Sequence, residues 1–100
     1  MLFGLPDSVI QKLRQVFEGD CRIVQVWLYG SRATGKQKPF SDIDLCIEGA
    51  NLKLNDLHAL ESKIDDLNLP WKVDLSLKHQ INNPVLLNHI QNIGIGFLSK

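Results

Sequence analysis

The apolar residues of this chain change their spacing along its length, and that change restricts the fold more than any single motif does. Near the start, Val9, Leu13, Val16 and Phe17 recur every three or four residues, the period of one helical face, behind the punctuation Pro6-Asp7-Ser8. Gly19 is read as the C′ residue that ends this helix. Residues 22–29 are rich in β-branched and aromatic side chains and nearly apolar throughout, which predicts a central strand covered on both faces. Over 41–48 the period becomes two, with Ile43, Leu45 and Ile47 on one face and Asp42, Asp44 and Cys46 on the other. Leu57, Leu60, Ile64 and Leu67 return to helical spacing, which predicts a helix over 55–67 with Asn55 as its N-cap and Pro70 as its stop. Residues 71–77 alternate again, placing Val73, Leu75 and Leu77 inward and Asp74 and Ser76 opposite. Asn83-Pro84 forms an N-cap and N1 pair for a last helix through Leu86, Leu87 and Ile90, and Gly94 and Gly96 flank a short terminal strand or tail. Strands interleaved with helices in this way predict an α/β (α+β) domain, a small mixed sheet flanked by helices.

A chain of 100 residues has room for one such core, so a single domain over 1–100 is expected. Eleven Lys and Arg balance eleven Asp and Glu, which excludes DNA binding by bulk charge. Cys21 and Cys46 have no zinc-ligand spacing and sit among apolar neighbours, so both are expected in the core. The first residues lack the basic and apolar regions of a signal peptide, and no apolar run approaches the ~20 residues that span a bilayer. The expectation is a cytoplasmic protein with reduced thiols and no membrane contact.

The chemically informative pattern is Gly30-Ser31, ten intervening residues, then Asp42-Ile43-Asp44, with Asp74 in the middle of a later strand. Glycine at a strand end lets a ligand approach the backbone closely, and Ser31 adds a hydroxyl and an amide suited to phosphate. Residues two apart on a strand point the same way, so Asp42 and Asp44 share a side, and Asp74 on a neighbouring strand can join them. Two such charges about 4 Å apart repel by roughly 4 kcal/mol at an effective dielectric near 20. A hard cation resolves that repulsion: Mg²⁺ takes oxygen ligands and is completed by substrate phosphates. Taken singly, each residue has an ordinary reading as a turn or a solvent-facing position, but together they point to a metal and phosphate site. His58, His79 and His89 lack ligand spacing and are read as surface or helix-face residues. Trp27 and Trp71 are read as core or partly exposed partner surface, and Tyr29 as packing.

The runs Leu28-Tyr29-Gly30-Ser31-Arg32-Ala33, Ser41-Asp42-Ile43-Asp44-Leu45 and Val73-Asp74-Leu75 resemble the DNA polymerase beta-like nucleotidyltransferase superfamily, in particular its minimal nucleotidyltransferases. The resemblance covers about residues 20 to 80. It implies the polymerase beta-like fold, two Mg²⁺ ions held by Asp42, Asp44 and Asp74 as metal and catalytic carboxylates, and binding of a nucleoside triphosphate at Gly30 and Ser31. Arg32, in the same loop, is expected to meet triphosphate charge; Lys36 and Lys38 are read as solvated. The reaction implied is transfer of a nucleoside monophosphate, AMP from ATP, to an acceptor hydroxyl with release of pyrophosphate. Minimal members are commonly paired with a small helical HEPN-type protein, so the resemblance also implies a toxin–antitoxin module in which a tyrosine of the toxin is the acceptor. The alternative is a non-catalytic nucleotide-binding module that neutralises or scaffolds its partner by contact.

Overall fold

The computed structural model describes residues 2–99. Its elements run α1 (Asp7–Glu18), β1 (Ile23–Tyr29), α2 (Ser31–Thr34), β2 (Ile43–Gly49), α3 (Leu54–Asp65), β3 (Val73–Leu77), a 3₁₀ turn (Lys78–Gln80), α4 (Pro84–Ile93) and β4 (Ile95–Ser99). The four strands form one sheet in the order β3-β2-β1-β4. β1 pairs antiparallel with both β2 and β4, whereas β2 and β3 run parallel, so the sheet is mixed. The residues after Gly94 are therefore a sheet edge, and β1 is central because β4 returns to its free side.

The two-residue alternation sets which face is core. Ile43, Leu45 and Ile47 are all buried, as are Ile23, Val26 and Leu28 of β1. Against them pack Val9, Ile10, Leu13 and Phe17 of α1 and Leu60 and Ile64 of α3, with Phe97 of β4 completing the cluster. Each large side chain buried here contributes roughly 1.5–3 kcal/mol of transfer free energy. α4 lies against β1 on the other face, where Ile90 is buried and approaches Trp27. That cover is partial, since Val24 remains 51% exposed, so β1 is not enclosed on both faces as its composition suggests.

Three local expectations change. Gly19 closes α1 in a right-handed conformation, φ −69°, with its amide donating to the Gln15 carbonyl, rather than as a left-handed C′ residue. α3 begins at Leu54, one residue ahead of the expected Asn55 cap, because the Asp56 carboxylate accepts the Lys53 amide at 2.8 Å and closes the first turn from inside. Of the two cysteines, Cys46 is buried but Cys21 is exposed in the turn before β1. The Asn83 cap forms as expected, its side-chain oxygen accepting from the Val85 and Leu86 amides.

Candidate active site

The site lies where β1 ends and β2 begins. β1 finishes at Tyr29, paired with Asp44. Gly30 follows with φ 76° and ψ −154°, a backbone state that is costly for any residue with a Cβ, and α2 starts at Ser31. A Cβ on Gly30 would also overlap the Asp44 carboxylate, so glycine here lets the turn pack directly against that side chain. The Gly30 carbonyl accepts from the Ala33 and Thr34 amides, which makes the turn the foundation of α2.

The parallel register of β2 and β3 sets Asp44 directly opposite Asp74, on neighbouring strands about 4.8 Å apart. Asp42, exposed, stands one residue before β2. Burial holds the Asp44 carboxyl above the usual carboxylate range, and the negative charges of Asp74 and Asp42 push it further the same way. Asp74 is half exposed and lies 3.8 Å from the Lys72 ammonium. The Tyr29 hydroxyl is likewise pushed up by burial, with Asp44 and Asp74 adding to the shift and a hydrogen bond from Ser76 opposing it. A cavity of about 510 Å³ runs between α3 and β3, and Asp74 stands on its wall beside Trp71 and Lys72.

Among the described residues, no set of three or more His, Cys, Asp and Glu side chains converges closely enough to hold an ion alone. The three aspartates therefore do not form the ready-made cage that one shared patch would suggest. Their chemistry nonetheless suits Mg²⁺, which typically takes one or two carboxylates and completes its shell with water and phosphate. Asp44 supplies the test: it is partly desolvated and repelled by two like charges, a cost that a divalent cation would offset.

Arg32 departs from its expected place. It is only 3% exposed, and its guanidinium donates to the carbonyls of Phe3 at 2.8 Å, Ser41 at 2.8 Å and Pro39 at 3.5 Å while lying over the Trp71 ring. Trp71 in turn donates to the Pro39 carbonyl at 2.7 Å. Arg32 is thus a clasp from α2 onto the surrounding backbone: burial lowers its pKa, and its donors are spent on carbonyls rather than aimed at phosphate. Lys36 and Lys38 are exposed, as expected. The histidines divide: His58 and His79 are exposed, but His89 Nε2 accepts the Gly30 amide at 3.0 Å and its ring meets Tyr29 edge-on. No spacing marks His89, because the contact joins residues 59 apart.

Comparison with known proteins adds five findings. A family model described as polymerase beta nucleotidyltransferase matches residues 11–100. A protein of Methanocaldococcus jannaschii, named provisionally as a protein adenylyltransferase, is 32% identical over 85 residues, which are 84% of this chain and 86% of that protein. A protein of Haemophilus influenzae, named provisionally as protein adenylyltransferase MntA, is 42% identical over 53 residues, 50% of this chain and 45% of that protein. Among solved structures, a toxin–antitoxin pair with AMP-PNP superposes with a TM-score of 0.73 at 24% identity, covering 96% of this chain and 75% of the other. A Shewanella oneidensis complex of a tri-AMPylated HEPN toxin with its MNT antitoxin gives 0.70 at 18% identity, covering 93% and 71%. These structural likenesses are likenesses of fold.

Proposed function

Because the chain belongs to the polymerase beta nucleotidyltransferase family, we propose that it transfers AMP from ATP to a tyrosine hydroxyl of a small helical HEPN-type toxin, and so acts as that toxin's antitoxin. The observation that carries this reading is the placement of Asp44 opposite Asp74 and against the Gly30-Ser31 turn. The names of the two relatives support protein as the acceptor class, and the toxin–antitoxin structures with the same fold support the partner. ATP and the partner's synthesis are cytoplasmic, which is where such a reaction would run. Among the described residues no helix is long and apolar enough to cross a membrane.

In this scheme Gly30 and Ser31 seat the triphosphate, with glycine allowing close backbone approach and the Ser31 hydroxyl offering a hydrogen bond. Mg²⁺ ions held by Asp42 and Asp44, with Asp74, would supply charge neutralisation on the triphosphate and the transferred phosphoryl group. The acceptor oxygen bonds to the α-phosphorus as the bond to the bridging oxygen breaks, and pyrophosphate leaves. Asp74 takes the acceptor's proton; its partial exposure and its position on the cavity wall leave it open to a hydroxyl arriving from that side.

The test is transfer of label from α-phosphate-labelled ATP with Mg²⁺ to a co-expressed helical partner, wild type beside Asp42→Asn/Asp44→Asn. A labelled partner with wild type alone supports the reading. Full suppression of toxicity by the double variant, with no label under either protein, overturns it in favour of neutralisation by contact.

A further inference from the structure

Gly30 is gripped from two sides. The Asp44 carboxylate packs against its α-carbon, and its amide points the other way, into the imidazole of His89. That amide is the first beyond the β1 ladder, and among the described residues its acceptor is the ring Nε2, 3.0 Å away. The ring is held in place from its own helix and from β1. Ile90, the next residue of α4, is 2% exposed, Asn83 caps the first turn, and the Tyr29 ring stands edge-on to the imidazole at 6.1 Å and 80°.

We infer that His89 is a positioning residue for nucleotide binding: by accepting the Gly30 amide it fixes the peptide that carries the turn, and so keeps Ser31 in register with Asp44 for the triphosphate. The inference rests on the nucleotidyl-transfer reading of the site. It ties α4, which contributes no residue to the family signature, to the seat of the phosphates. Nε2 accepts, so the neutral ring carries its proton on Nδ1. A glutamine can place an acceptor at the reach of Nε2, whereas asparagine is too short and alanine has no acceptor.

The experiment is calorimetric titration of ATP with Mg²⁺ into wild type, His89→Ala, His89→Asn and His89→Gln, with melting temperatures recorded for all four. Loss of one well-placed hydrogen bond predicts Kd for ATP about tenfold weaker in the Ala and Asn variants. His89→Gln is expected to return to within about threefold of wild type, a rescue that follows the acceptor and not helix packing. Equal affinity in all four proteins, or a Gln variant as weak as Ala while both stay folded, overturns the role of His89. Absence of ATP binding in the wild type itself overturns the transfer reading instead, and this inference with it. Where His89→Ala does not fold, the Asn and Gln pair decides between the same two results.

Discussion

Replacing Asp44 by asparagine should make the protein more stable while ending its proposed chemistry. The isosteric amide keeps the packing against Gly30 and removes a charge that burial and two neighbours disfavour. Unit charges about 4.8 Å apart, the spacing of adjacent strands, repel by about 3.5 kcal/mol at an effective dielectric of 20 and by under about 1 kcal/mol in bulk water. Asp74 is half exposed and sits near Lys72, so a value toward the lower end, about 1 kcal/mol, is expected; in a domain of this size that is a rise in Tm of about 4–8 °C. The pH dependence has a definite sign. A carboxyl raised in the folded state binds its proton more tightly there than in the unfolded chain. Wild type therefore loses stability as pH rises from the ordinary aspartate range through the raised value. The Tm gap between variant and wild type should be absent in acid, open through that window and be complete at neutral pH. Saturating Mg²⁺ should raise the Tm of wild type and narrow the gap. Scanning calorimetry of both proteins across pH, with and without Mg²⁺, reads all of this. A variant that melts at or below wild type at neutral pH without metal would refute the electrostatic account of Asp44.

Arg32→Ala leaves the part-buried carbonyls of Phe3 and Ser41 without the Arg32 donors and should cost about 2–4 kcal/mol in urea unfolding, with Arg32→Lys recovering only part because an ammonium lacks the planar fork that reaches both carbonyls. Gly30→Ala forces a Cβ into a positive-φ site and against Asp44, at a cost of at least about 1 kcal/mol. That cost should shrink in an Asp44→Ala background, and a double-mutant cycle on unfolding free energies checks the coupling. A thiol reagent should modify Cys21 in the native protein and Cys46 only once the chain unfolds, as mass spectrometry of partly denatured samples would show.

The sheet was legible because its signals are local. The alternation through Ile43, Leu45 and Ile47, and the Asn83-Pro84 pair, each depend on neighbours within a few residues. What could not be read is what depends on distant backbone. Arg32 lies in a polar loop, the usual place for a solvated or phosphate-facing cation, until the carbonyl of Phe3, 29 residues earlier, and those of Pro39 and Ser41 close around it. His89 meets Gly30 only after α4 folds back over β1. Cys21 and Cys46 have similar apolar neighbours, yet one falls in a turn and the other in the second strand, so composition alone could not separate them.

The core and the site are written in the same pattern. A side-chain period of two means that a slip of one residue in β2 would send Asp44 into the core and Leu45 to the surface. Burying Ile43, Leu45 and Ile47 forbids that slip, so the apolar residues fix the side on which Asp44 emerges. The same register then pairs Leu45 with Leu75, and Asp44 with Asp74 follows from it with no contribution from the carboxylates, which repel. Hydrophobic burial therefore assembles a charge cluster that electrostatics alone would disperse. Weakening that burial, for example by Leu45→Ala at a cost of about 2–5 kcal/mol, should relax the Asp44–Asp74 alignment before it perturbs the Gly30 turn. The turn is secured separately, by His89 on one face and by the α2 amides on the other.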